Sequence, residues 1–342
     1  MSKADIHDVA KAAGVSISTV SRAFTRPDMV SERTRRKVLD AAARLDYTIS
    51  RSAGSLKTGQ ANRVALLMND TISSWFNVQV FAGLNDVLRD EGYDIAVYDH
   101  IDTAEIRREF FTTMPVRRNV DAVFVASFAI DKGEVEQLKG IHVPLIGINT
   151  SASDSLDASI GIDDEEGMCA AAQHLIGLGH RRIVYVCSAA AETLGASVDD
   201  RGRGFIRACK SAVAAGRELD WQVITVPRGP GFVDAALAAL LALEDFPDAI
   251  CCQMDMLAVP LVTRLARYDR VTPRDYSIIG FDDMQHADWV NLTTMRQDPH
   301  TMGKKAAHKA LALMRGETLA EPHEIVRATL TMRGTDAPFV AA

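Results

Sequence analysis

From Arg63 onward the chain alternates short apolar runs with helical stretches, and this alternation restricts the fold more than any other feature. The runs VALLM (64–68), YDIAVYD (93–99), DAVFVAS (121–127) and VPLIGIN (143–149) form a first series. RIVYV (182–186), WQVITV (221–226), AICC (249–252) and YSIIGF (276–281) form a second. Helical spacing fills the gaps, as from Phe76 to Glu91 with Gly92 as the stop. Short buried runs joined by crossover helices define parallel sheets, and two series define two α/β lobes. Ligands of open α/β sheets sit beyond the carboxyl ends of the strands, so the expected binding site is a cleft between the lobes.

The first 46 residues follow a different, all-α pattern. In DIHDVAKAAGVSISTVSR (5–22), Asp5 is an N-cap and Asp8, three residues on, completes a capping box. Gly14 stands where the first helix must stop and turn. Ser16 caps a second helix through Phe24, with Val15 and Val20 supplying the contact between the two. That layout is a helix-turn-helix, whose second helix enters the DNA major groove. Ile17, Ser18, Thr19, Ser21 and Arg22 are residue types that read base edges there. Ser31 caps a third helix, SERTRRKVLDAAARLDY, whose Arg33, Arg35, Arg36 and Lys37 form either a solvated basic face or a phosphate contact.

Charge separates the two parts. Residues 1–60 hold 11 Lys and Arg against 6 Asp and Glu, whereas the remainder holds 27 against 39. A basic head on an acidic body fits a DNA reader carried by a part that does not touch phosphates. The five cysteines, an odd number without metal spacing, read as reduced buried thiols. The longest apolar run, Ala235 to Leu243, is too short for a membrane span, and no signal peptide is visible, so a cytoplasmic protein is expected. There is no GxSxG, P-loop or HExxH, and the glycine pairs at 202/204 and 229/231 lack the third glycine of a dinucleotide site. Neither catalysis nor a cofactor or metal is expected.

The stretch 48–62, TISRSAGSLKTGQAN, reads as a linker in which Ser50 to Lys57 could form two helical turns once something packs on them; Gly54 costs that helix about 1 kcal/mol relative to Ala. The expected organisation is a DNA-binding head at 1–46, a hinge at 47–61 and a two-lobed core at 62–342.

Taken together, these residues resemble the LacI/GalR family of bacterial transcription regulators. The head carries DVAKAAGVSISTVSR where the family has DVA-x-x-AGVS-x-x-TVSR, and Thr34, Arg35, Val38 and Leu39 fit its third-helix signature. The core carries GHRRIVYV (179–186), the element Arg201 to Phe205, TPRDYSIIGFDD (272–283), LTTMRQD (292–298), Met302-Gly303 and Arg333-Gly334 in the family's order. The resemblance implies a two-lobed core of the periplasmic-binding-protein kind and a homodimer with two heads on an operator. The linker would fold on the DNA, with Leu56 wedged into the minor groove. It assigns Ile17, Ser18 and Arg22 to base reading, Ser16, Thr19 and Ser21 to phosphates or the head's own fold, and Thr34 to DNA binding. Ile49, Ser50 and Gly54 depart from the family's hinge, and Gly54→Ala is expected to tighten operator binding.

The resemblance places a small, sugar-like effector in the cleft against Ser74, Phe76, Asn149, Arg201, Phe232 and Asp282. Bland readings stand beside these. Arg201 follows Asp199 and Asp200 and has a surface ion pair as its second reading; Asn149 reads equally as a turn former, Asp282 as a loop cap, and Trp75 as core. Met254 occupies the position where the family places a sugar-binding Asn, which points to a different or less hydroxylated effector. The function implied is a repressor released by an inducer; the alternative is a corepressor-dependent regulator answering to a non-sugar metabolite.

Overall fold

The computed structural model describes residues 4–25, 27–47, 60–101, 103–113, 119–127, 130–150, 153–189 and 197–340. It divides into two compact units, Met1–Asn62 and Arg63–Ala342. The hinge stretch, with Leu56 and Gly54, lies outside the described residues.

Three helices build the first unit: α1 (Ile6–Ala13), α2 (Ile17–Thr25) and α3 (Glu32–Arg44). The Asp5 carboxylate accepts from the His7 and Asp8 amides, while the Asp8 carboxylate accepts from the Asp5 amide at 3.0 Å. Gly14 ends α1 at φ 65°, a left-handed conformation that costs glycine little. Helical spacing then turns Val9, Ala10, Val20, Ala23, Val38, Ala41 and Ala42 into one buried cluster. The sequence predicts α3 through Tyr47, but the helix stops at Arg44. Asp46 adopts φ 48°, and the Tyr47 ring packs edge-on against Phe24 at 6.4 Å.

The second unit holds two lobes. In the first, β1 (Arg63–Met68), α4 (Trp75–Leu88), β2 (Asp94–Tyr98), α5 (Ala104–Thr113), β3 (Ala122–Ala126), α6 (Lys132–Lys139), β4 (Leu145–Ile148) and β5 (Ala158–Ile162) follow in order. The chain then crosses into the second lobe. There it forms α7 (Asp164–Gly177), β6 (Arg182–Ser188), α8 (Ser197–Ala214), β7 (Asp220–Val226), α9 (Phe232–Leu241), β8 (Ala249–Cys252), α10 (Asp255–Leu265), β9 (Ser277–Asp282), α11 (Gln285–Trp289) and β10 (Thr293–Arg296). It returns as α12 (Pro299–Met314) and β11 (His323–Val326) in the first lobe, and crosses a third time into β12 (Thr329–Thr331).

The sheet orders are β11-β5-β4-β3-β1-β2 and β12-β10-β9-β8-β6-β7, parallel throughout except for the antiparallel β10–β12 pair. Alternation along each strand sends residues to opposite faces. Val64, Leu66 and Met68 therefore enter one core and Ala65 and Leu67 the other. The eight runs read from the sequence all become strands, but β5, β10, β11 and β12 do not stand out there. Threonine, a glycine break or charged ends give them no continuous apolar run; β5 and β10 pair beside the strands that precede them, and the second and third crossovers deliver β11 and β12 to the edges these leave. Helix α4 is also shorter than the predicted 76–91, with Gly92 turning the chain at φ 82°.

Candidate functional site

On the head, Ser16, Ile17, Ser18 and Arg22 are exposed along α2, Thr19 and Ser21 are half-buried, and Val20 points inward. Two of the hydroxyls assigned to DNA hold the head's own turns. The Ser16 hydroxyl accepts from the Thr19 amide at 3.2 Å and lies 2.8 Å from both the Ser18 and Thr19 hydroxyls. Thr34 shares a 2.9 Å hydrogen bond with Ser31, the residue capping α3. Ile17, with 41% of its surface exposed, is an apolar side chain left facing outward beside these groups.

In the second unit a cavity of about 450 Å³ opens between the lobes, at the carboxyl ends of the strands. All six residues assigned to the effector line it: Ser74, Phe76, Asn149, Arg201, Phe232 and Asp282. Ser74 occupies the N-cap position of α4 but makes no capping hydrogen bond with its side chain. Asn149 is a turn former that also lines the cavity. It turns the chain at φ 48° after β4, accepts from the Ile162 amide at 3.3 Å and donates to Asp164 at 3.4 Å.

Arg201 is no surface residue. It is buried, and its partners are remote in sequence: Nε donates to Asp164 at 2.7 Å, and Nη1 donates to the Gln253 carbonyl at 2.8 Å and to Asp282 at 3.4 Å. The guanidinium also lies 3.7 Å over the Phe281 ring. The neighbouring Asp200 pairs instead with Arg203. Burial pushes the Asp282 carboxyl up to about 6, against the pull of Arg201 and of the Gln297 amide, which donates to it at 2.5 Å. Asp282 takes φ 126° and Ser127 φ 63°, so backbone strain concentrates along the same floor.

Further candidates stand outside the residues that the sequence assigns to the effector. Asn77, Gln253 and Gln297 are buried in the cavity wall, and each has one side-chain polar atom with no hydrogen-bond partner: Asn77 Oδ1, Gln253 Nε2 and Gln297 Oε1. Ser127 Oγ makes a fourth. Buried polar atoms are nearly always paired within a protein or by something bound to it, and these four belong to lining residues from both lobes. Trp75 corrects the expectation that it is core. It joins none of the buried clusters and lines the cavity half-exposed, whereas Phe76 packs on the first lobe's core. At the mouth, Arg228 from the second lobe lies 3.5 Å from Asp70 of the first.

A three-helix head with an exposed recognition helix, joined to a two-lobed core around a polar cleft, defines a ligand-responsive DNA-binding regulator. Residues 5–50 match the bacterial regulatory proteins of the lacI family, and residues 172–335 match the periplasmic binding protein-like domain. The chain is 28% identical to the HTH-type transcriptional repressor PurR of Actinobacillus pleuropneumoniae over 89% of each protein. It is 29% identical to the ribose operon repressor of Bacillus subtilis, over 93% of this chain and 94% of that one. The lac repressor dimer bound to operator and the anti-inducer ONPF has the same fold, with a TM-score of 0.82 and 20% identity over 98% of this chain and 100% of that one. The head matches the lacI family, and the chain is a sequence-specific DNA-binding transcriptional regulator.

No described helix is long and apolar enough to cross a membrane, and the described residues hold no cluster suited to a metal ion. All five cysteines are free and buried.

Proposed function

We propose that this chain is a homodimeric repressor of carbohydrate-utilisation genes, acting in the cytoplasm and released from its operator by a small, sugar-like inducer. Residues 1–46 read the operator, with Ser16, Ile17, Ser18, Thr19, Ser21, Arg22 and Thr34 as its contacts. The hinge 47–61 adds Leu56, and the core 62–342 binds the inducer and dimerises. The observation that carries the proposal is the cleft itself, where Arg201 braces Asp164 and Asp282 among lining residues that include Asn77, Ser127, Gln253 and Gln297. Amide oxygens accept, an amide N–H donates and a serine hydroxyl does both, a set that answers the hydroxyls of a sugar. The ribose operon repressor among the relatives supports this class of effector.

The cleft walls come from both lobes, so a ligand touching both favours one lobe arrangement over another. Operator binding that depends on that arrangement is linked to ligand binding through one coupling free energy. The ligand is bound and released unchanged: the buried carboxylates Asp164, Asp255 and Asp282 are each held by fixed donors.

The test is retention of labelled DNA from upstream of this gene and its neighbours, at fixed low salt, with and without a panel of sugars. Loss of retention with one sugar supports the proposal. Gain would establish the corepressor alternative, and no retention at low salt would refute DNA control by this head.

A further inference from the structure

The polarity of the cleft changes from floor to mouth, and its charges are already paired. Among the described lining residues the cations are Arg201 and Arg228, and the carboxylates are Asp70 and Asp282. Arg201 is committed to Asp164 and Asp282, and Arg228 faces Asp70. The floor thus carries two carboxylates around one guanidinium. A phosphate or carboxylate on the ligand would meet no unpaired cation among these residues and would lie against like charge, at a large desolvation cost.

The buried end is polar, with Asn77, Ser127, Gln253 and Gln297 supplying donors and acceptors without partners. The outer end sets apolar side chains beside the paired Arg228 and Asp70. Trp75, Phe232 and Met254 are half-buried there, Met256 is exposed, and Met284 closes the wall beside them. The chain makes this change between adjacent residues, Gln253 toward the floor and Met254 toward the mouth. Half-exposed methionine and aromatic side chains gain most from an apolar group that covers them. The volume of about 450 Å³ also exceeds what one sugar ring takes up.

We infer that the ligand of this cleft is an uncharged glycoside, with a hydroxylated ring on the polar floor and an apolar substituent against Trp75, Met254 and Met256 at the mouth. The inference rests on reading the cleft as the effector site. It excludes sugar phosphates and sugar acids as effectors.

Calorimetric titration of the full chain tests it. Methyl and phenyl pyranosides of glucose, galactose, mannose and xylose would be compared in pairs, beside the free sugars and the hexose 6-phosphates. At least one phenyl glycoside is expected to bind about tenfold tighter than its methyl counterpart, and the 6-phosphates are expected not to bind. In Trp75→Ala and in Met254→Asn the ratio of the two affinities should fall toward one, and either variant suffices if the other fails to fold. A 6-phosphate or free sugar binding more tightly than every glycoside overturns the inference. So does equal binding of each methyl and phenyl pair, or binding of no glycoside. Operator retention by the same preparation separates the two readings. A chain that holds its operator but ignores glycosides sinks this inference alone, whereas a chain that holds no DNA sinks the regulator proposal.

Discussion

Asp255 opens helix α10 fully buried, accepting from the Thr294 hydroxyl at 2.7 Å and from the Met284 amide at 2.9 Å. Burial, with Asp282 adding to it, pushes its carboxyl from an ordinary 3.8 up to about 7. The folded chain therefore holds this proton more tightly than the unfolded one. The stability this confers is complete below the unfolded value and is lost as pH rises through the folded value. Asp255→Asn keeps an acceptor for the Met284 amide and a group to pair with Thr294, but removes the titration. Its stability relative to the parent should rise by about 2 kcal/mol between about pH 5 and about pH 8 in urea unfolding; a pH-independent difference would contradict this account. The residue scale is also where the sequence is least informative. Arg201 is marked by its motif, yet its partner Asp164 lies 37 residues away and is signalled by nothing local. Gln297 lies inside LTTMRQD without a role of its own, Asn77 sits in helix α4 and Gln253 follows β8; nothing local marks them as cavity lining until the fold brings the two lobes together.

Two elements lend themselves to direct tests. The capping box on α1 satisfies amides that no helical carbonyl can reach, so Asp5→Ala should cost the head about 1 kcal/mol, seen as earlier melting of its helical signal. Helices α4 and α12 meet through glycines. A Cβ on Gly83 would lie 2.0 Å from the His300 carbonyl oxygen, and one on Gly303 would lie 2.4 Å from that of Val80. Neither helix can yield to a backbone atom without moving away, so Gly83→Ala should destabilise the core by about 1–3 kcal/mol; an unchanged urea midpoint would show that the helices part freely. The glycines were visible in the sequence, but their meeting was not, because 220 residues of chain separate them. Helix ends, by contrast, were legible from local chemistry. Asp5, Gly14 and Ser31 do what their types predict, while α3 ends early where Asp46 turns left-handed at φ 48°.

At the scale of the whole molecule the proposal is linkage, and linkage is reciprocal. If the inducer weakens operator binding by some factor, saturating operator must weaken inducer binding by the same factor. Calorimetry of the inducer with and without operator should return equal factors, and unequal ones would rule out a single coupled equilibrium. The sequence by itself determined what depends on neighbours along the chain: the capped head, the glycine turn, the eight apolar strands, the two-lobe plan, and the motifs that mark the family and six cleft residues. Periodicity and capping act over a few residues, so they are written where they act. Only the tertiary structure decided the crossover strands, the burial of Arg201 between Asp164 and Asp282, the exposure of Trp75 and the unpartnered atoms of the floor. Those features come from segments brought together across two lobes, and whether a polar side chain there is satisfied or left open depends on which distant atoms the fold places beside it.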